Sequence, residues 1–92
     1  RQAKIVGNYP NPFNPTTTIS YQIATDSMAK LDIYNIKGQF VKTLVNEPKV
    51  MGEHQAVWDG KDFRGKGVAS GVFFVRLSSA GKSSVHKMLL MK

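Results

Sequence analysis

The sequence contains no cysteine, which excludes a disulfide framework, thiolate metal sites and thiol catalysis. Acidic residues are also scarce, because only six of the 92 residues are Asp or Glu, and these are scattered along the chain. Paired carboxylates for acid–base chemistry are therefore not expected, and we do not expect an enzyme. No apolar run approaches the roughly 20 residues that a membrane span requires.

Basic residues are plentiful, with 13 Lys and Arg giving a formal net charge of +7. The lysines are spread along the chain, and several alternate with apolar residues as on the solvent face of a strand. Nucleic-acid binding would require a basic stripe or patch, which the sequence does not contain. The dispersed charge favours a solubilising role, with an anionic partner as the alternative.

Period-two alternation of apolar and polar residues dominates the chain. In "TTTISYQI", Ile19, Tyr21 and Ile23 share one face, and the segments "AKLDIYN", "HQAVWDG" and "VFFVRLSS" repeat the pattern. Glycine-containing turns at Lys37-Gly38 and Gly81-Lys82 separate strands, and no stretch has a helical period. The sequence predicts an all-β, antiparallel immunoglobulin-like or fibronectin III-like sandwich of about seven strands, with Trp58 in its core.

Candidate metal ligands are few. Asp59 and Asp62 lie in a glycine-rich loop and form a weak alternative site for calcium, but basic residues are interleaved with them. We predict instead that the Asp59 carboxylate accepts hydrogen bonds from backbone amides of its own turn, as is common in Asp-Gly pairs. His54 is predicted to be half-buried, on the same face of its strand as Trp58. Neither a cofactor nor a metal is expected.

Three prolines, Pro10, Pro12 and Pro15, precede the first strongly alternating strand. Each fixes φ, removes an amide donor and biases the preceding residue towards extended geometry. We therefore interpret this segment as a rigid lead-in that delivers Ile19, Tyr21 and Ile23 to the sandwich. Since the chain begins at Arg1 rather than Met, it is expected to be part of a longer protein, with any export signal upstream.

Four segments, "NYPNPFNPTTTISYQI", "AKLDIYNIKGQFVKTL", "WDGKDFRGKGVASGVFFVRL" and "KMLLMK", together resemble the C-terminal sorting domain of type IX secretion substrates in Bacteroidetes-related bacteria. The resemblance covers residues 8–92, with residues 1–7 as the end of an upstream linker. The first and third segments are also similar to the Ig-like domain of the flagellar hook-capping protein. The lysine-flanked apolar run of the last predicted strand favours the sorting family.

The resemblance implies a non-catalytic module that directs the cargo domain of the same chain through the periplasm to the cell surface or medium. Its partners would be the outer-membrane type IX translocon and the cell-surface processing and attachment machinery. The alternatives are a structural domain of a flagellar hook-cap scaffold, or a carbohydrate-binding or accessory module of a secreted hydrolase. By matching position, the resemblance assigns translocon recognition to three elements: the turn Lys37, Gly38 and Gln39; the strand start Gly71, Val72 and Phe73; and the last strand with Lys87, Met88, Leu89, Leu90, Met91 and Lys92.

Overall fold

Seven β-strands make up the regular structure of the protein, in a computed structural model that describes residues 2–92. In chain order they are β1 (Lys4–Tyr9), β2 (Thr17–Ile23), β3 (Ser27–Asn35), β4 (Phe40–Lys49), β5 (Gly52–Trp58), β6 (Gly71–Ser79) and β7 (Lys82–Leu90). Residues 2–92 contain no helix that could cross a membrane.

The strands form two sheets, with the order β1-β2-β5 in one and β4-β3-β6-β7 in the other. Every neighbouring pair is antiparallel. Strand β4 pairs with β3 and therefore belongs to the same sheet as β6 and β7. In an antibody constant domain the fourth strand lies instead in the sheet of the first, second and fifth strands. The predicted all-β sandwich is confirmed.

The core lies between the two sheets and follows the predicted alternation. Ile19, Tyr21 and Ile23 of β2 are buried, and Trp58 at the end of β5 is fully buried. The Trp58 indole N–H donates a hydrogen bond to the carbonyl of Lys61 over 2.9 Å, so its one polar group is satisfied. The opposite sheet contributes these buried side chains: Ala29, Leu31, Ile33, Val41, Phe73, Val75, Leu77, Met88 and Leu90.

The first strand begins earlier than the sequence-based domain boundary at residue 8 allows. Strand β1 starts at Lys4, and Ile5 is a buried core residue that pairs with Tyr21. A register shift between Ile5 and Gly7 leaves Val6 as an extra, exposed residue, and such a bulge interrupts the alternation by which a strand is recognised. The boundary therefore has to be corrected, because residues 4–7 belong to the sandwich and not to a linker.

The proline-rich segment does more than lead into β2. Phe13 is only 2% exposed and packs against Trp58, with 5.5 Å between the ring centroids. The Phe13 amide donates to the Leu89 carbonyl over 3.0 Å, and the Met91 amide donates to the Phe13 carbonyl over 2.9 Å. The Asn11 side-chain oxygen accepts from the Leu89 amide over 3.1 Å. Residues 11–13, named the clasp below, thus hold the end of β7 by hydrogen bonds. The interpretation of this segment as a lead-in to β2 was therefore incomplete.

Candidate functional site

The three predicted recognition elements meet at one end of the four-stranded sheet. Asn35, at the end of β3, pairs with Phe73 near the start of β6, and Gly71 pairs with Leu90 at the end of β7. The turn after β3, the loop before β6 and the residues after β7 therefore lie side by side. This end of the sheet is named the loop end.

The turn after β3 is held by Asn35. Its side-chain oxygen accepts hydrogen bonds from the amides of Lys37 and Gln39, each over 2.9 Å, and the Gly38 amide donates to the Asn35 carbonyl over 2.9 Å. Gly38 has φ of 81°, in the left-handed region that favours glycine. The predicted turn is confirmed, and its geometry exposes the side chains of Lys37 and Gln39.

The loop between β5 and β6 is organised by its own aspartates. Asp59 accepts from the Lys61 amide over 3.1 Å, while one oxygen of Asp62 accepts from the amides of Arg64 and Lys66 over 2.9 and 3.0 Å. These amide bonds, chiefly the one from Lys66, hold the pKa of the Asp62 carboxyl below its ordinary value.

The predicted role of Asp59 in its own turn is confirmed, and Asp62 is found to act in the same way. Within residues 2–92 no group of three or more His, Cys, Asp or Glu side chains could hold a metal ion.

Between this loop and the turn after β3 lies a groove of about 560 Å³, named the loop-end groove. A hydrogen bond joins this loop to β4 at the groove, where the Phe63 amide donates to the Val41 carbonyl over 2.8 Å. Its lining is mainly apolar and comprises Ile36, Phe40, Val41, Phe63, Val68, Ala69, Val72 and Phe73, together with Asn35, Lys37, Gln39, Asp62, Ser70 and Gly71.

Three of the lining side chains are large, apolar and exposed to solvent: Ile36 at 67%, Phe63 at 60% and Phe40 at 46%. The rings of Phe40 and Phe63 have centroids 5.9 Å apart, and the guanidinium of Arg64 lies 5.4 Å from the Phe63 ring centroid. Large apolar side chains that cluster on a surface mark sites of interaction. Ile36, Phe40 and Phe63 are not among the site residues predicted from the sequence, although apolar residues on both flanks of predicted turns were an available signal.

The first two predicted elements contribute directly to this groove. Lys37 and Gln39 lie on its rim, and Gly71, Val72 and Phe73 line it. Phe73 is 6% exposed and packs on Trp58, so it forms the floor of the groove and is also part of the hydrophobic core. Gly38 does not line the groove, and its part is to shape the turn.

The last strand divides into inward and outward residues. Met88 and Leu90 are buried in the core, whereas Lys87, Leu89, Met91 and Lys92 are exposed. Met88 and Leu90, two of the residues to which the resemblance assigns recognition, therefore have side chains that a partner cannot reach in the folded domain. The clasp also occupies the outer edge of β7 at Leu89 and Met91, so this part of the strand cannot add to another sheet.

Positive charge predominates at the loop end. Lys37, Lys61, Arg64, Lys66 and Lys92 are all exposed there, and the amide of Lys92 donates to the Ser70 hydroxyl over 3.0 Å. Among residues 2–92 the ion pairs lie elsewhere, between Lys30 and Asp32 and between Lys49 and Glu47. Within residues 2–92 the loop-end cations thus make no direct salt bridge, although Arg64 and Lys66 are close enough to the Asp62 carboxylate to help lower its pKa.

A second depression, of about 470 Å³, lies against the three-stranded sheet and includes Tyr21, Glu53 and His54. His54 is half-buried, as predicted, and stacks on Tyr21 with 5.6 Å between ring centroids. Its Nε2 lies 2.7 Å from the Val50 carbonyl, which gives the imidazole a structural partner.

Comparison with known families decides which family the chain belongs to. The model of the FlgD Ig-like domain matches residues 9–83, which is most of the sequence. The chain belongs to the FlgD Ig-like domain family. Comparison with curated protein sequences gave no match.

Solved structures share the fold of this FlgD-type domain. PorZ of Porphyromonas gingivalis, described as an essential bacterial surface component of its type IX secretion system, superposes with a TM-score of 0.65 at 22% identity, covering 96% of this chain and 11% of PorZ. Dimeric latent PorU of the same organism gives 0.72 at 19%, covering 97% and 9%. FlgD from P. aeruginosa gives 0.68 at 21%, covering 97% and 68%. The chain thus spans about a tenth of the PorZ and PorU chains.

Proposed function

We propose that this FlgD-type Ig-like domain is a non-catalytic sorting module, which directs an exported protein through a type IX secretion system to the cell surface or the medium. The observation that carries the proposal is the meeting of the three resemblance-assigned elements at the loop end, beside a groove with exposed apolar walls. Similarity of fold to PorZ, a surface component of such a system, supports it.

Recognition in this proposal takes place through side chains of rigid loops. The end of β7 is already paired on both edges, to β6 and to the clasp, so the last strand is presented as a fixed surface. Its outward residues Leu89, Met91 and Lys92 lie near the groove and extend the recognition surface. The partners are the outer-membrane translocon, met from the periplasm, and then the processing and attachment machinery of the cell surface.

The test is a reporter with an N-terminal signal peptide and these 92 residues at its C-terminus, expressed in a bacterium that has a type IX system. The unmodified fusion should reach the surface or medium, and a strain without the translocon should retain it. The double variant Ile36→Ser/Phe63→Ser should reduce export at least about tenfold, because both side chains are at least 60% exposed and belong to the groove. These exposed substitutions should change stability by only about 0.5 kcal/mol.

The matched control is Val57→Ser/Val85→Ser, since these two side chains are each 59% exposed and lie outside the groove. Export of the control should equal that of the unmodified fusion. Retention of the unmodified fusion, or equal export of the two double variants, would contradict the proposal. Deleting residues 88–92 is a poor test, because it removes the core residues Met88 and Leu90 and with them the fold.

The second candidate function is a structural Ig-like domain of a flagellar hook-cap scaffold. The family match over residues 9–83 and the fold shared with FlgD over 68% of that chain favour it. If this candidate is right, replacing the Ig-like domain of a hook-capping protein with this chain should restore swimming, and the reporter fusion should stay inside the cell. The two experiments together separate the candidates.

A further inference from the structure

We infer that the loop-end groove binds a segment of a partner protein that carries an apolar side chain flanked by carboxylates. The inference rests on the proposed function for the location of the site and adds the chemistry of its occupant. Two features of the groove lead to it: an apolar interior that is open to solvent, and five surrounding cations that outnumber the two carboxylates of the loop, Asp59 and Asp62.

The apolar interior fits one large side chain. Ile36, Phe40 and Phe63 form exposed walls, and Phe73 forms a floor that belongs to the core. Bound apolar side chains gain most where the pocket is already formed, because no ordering of the site is needed on binding. Here the Phe63–Val41 hydrogen bond and the Asp62 turn hold the walls in place.

The rim supplies the electrostatic half of the inference. Lys37 lines the groove, Arg64 lies over the outer wall at Phe63, and Lys61, Lys66 and Lys92 are exposed around it. The one acidic residue in the lining, Asp62, spends one carboxylate oxygen on two backbone amides of its own loop. Excess cations around an apolar groove attract a segment with carboxylates on either side of its apolar anchor and repel a basic one.

A protein segment fits these features better than a polyanion does. A nucleic acid or polysaccharide chain would use the cations but would leave the aliphatic lining residues Ile36 and Val68 in contact with polar groups. Eight of the fourteen lining residues are apolar and only two, Lys37 and Asp62, are charged. An apolar centre with charges around it is typical of protein–protein interfaces.

The binding test uses the 92-residue chain and two blocked heptapeptides as probes, observed by ¹H–¹⁵N correlation NMR. Both peptides have a central leucine between glycine ends; one has two glutamates on each side and the other has two lysines. The glutamate peptide should shift the amide signals of Ile36, Phe40 and Phe63, and its affinity should fall as salt is raised. Equal shifts with both peptides, a preference for the lysine peptide, or shifts located elsewhere would overturn the inference.

Charge reversal provides the second arm. Each exposed charge pair contributes roughly 1.5- to 5-fold to affinity, so losing two attractions and gaining two repulsions in Lys37→Glu/Arg64→Glu should weaken the glutamate peptide by about fivefold or more. The control Lys4→Glu/Lys82→Glu makes the same change of net charge at exposed positions outside the groove, and should leave the affinity within about twofold. An equal loss of affinity in both variants would show that only the net charge of the domain matters, and would overturn the inference.

The same charge variants in the reporter assay separate the two claims. Loss of export with Lys37→Glu/Arg64→Glu, but not with the control pair, supports an acidic partner. If Ile36→Ser/Phe63→Ser blocks export while Lys37→Glu/Arg64→Glu does not, the sorting function stands and the acidic partner is refuted. If neither groove variant affects export, the proposed function itself fails.

Discussion

Phe13 provides the sharpest test of the clasp. If the proline-rich segment were only a rigid lead-in, truncating this side chain would change stability little. In the structure the ring is 2% exposed and packs 5.5 Å from Trp58, whose own ring lies 5.2 Å from Phe73. Removing a fully buried phenylalanine side chain costs about 3–5 kcal/mol, because transfer free energy is lost and a cavity remains.

The expected loss is large relative to the whole stability of the domain. A folded domain of this size is stable by about 5–15 kcal/mol, so Phe13→Ala removes a substantial fraction or unfolds the chain. The single tryptophan reports the transition in a urea titration, and with m of about 1 kcal/mol/M the midpoint should fall by about 3 M or more. Phe13→Leu keeps most of the apolar volume and should lose only about 1 kcal/mol.

Tyr9→Ala is the matched control, since that aromatic side chain directly precedes Pro10 in the same segment and is 83% exposed. Its free energy of unfolding should stay within about 0.5 kcal/mol of the unmodified chain. If the free energy of unfolding of Phe13→Ala were less than about 1 kcal/mol below that of the unmodified chain, the clasp would be refuted and the lead-in interpretation restored.

Three further outcomes follow from the loop end and the core. Gly60→Ala should lower the melting temperature more than Gly65→Ala: both glycines have positive φ, but only at Gly60 would a Cβ lie 2.8 Å from a backbone carbonyl of the proline-rich segment. By NMR, the Asp62 carboxyl should titrate below its ordinary pKa of about 3.9. Because folding lowers this pKa, the ionised carboxylate stabilises the loop above about pH 4, and the stabilisation is lost as the pH falls through the pKa of the folded state. Asp62→Asn should abolish this pH dependence. Thr43→Val should cost about 1–3 kcal/mol in a urea titration, because it removes the 2.6 Å hydrogen bond to the buried Asp32 carboxylate; an unchanged midpoint would show that this bond contributes nothing.

Local pattern was enough to predict most of the sandwich. Alternation located β2, β3 and β6 and the burial of Trp58, and the turn at Gly38 agreed with a residue that must adopt positive φ. These features depend on neighbours in sequence, through side-chain period and turn geometry. The family resemblance added the order of the elements, which period alone cannot supply.

The missed features depend on contacts between distant residues. Strand β1 was overlooked because the bulge at Val6 breaks its alternation. The burial of Phe13 depends on the end of β7, which is distant in sequence, and nothing within the proline-rich segment indicates this contact. The loop-end groove was recognised only in part, since Phe40 and Phe63 become neighbours through a hydrogen bond between a loop and β4.

The clasp also constrains when the chain can fold. Asn11 and Leu89 are joined by a hydrogen bond across 78 residues, and Met88 and Leu90 complete the same core. Contacts this distant in sequence form slowly, because the closure of a long loop must precede any gain from packing. A polypeptide whose synthesis has not reached residues 88–91 therefore lacks both the clasp and part of the interior, so the sandwich cannot close before those residues are available.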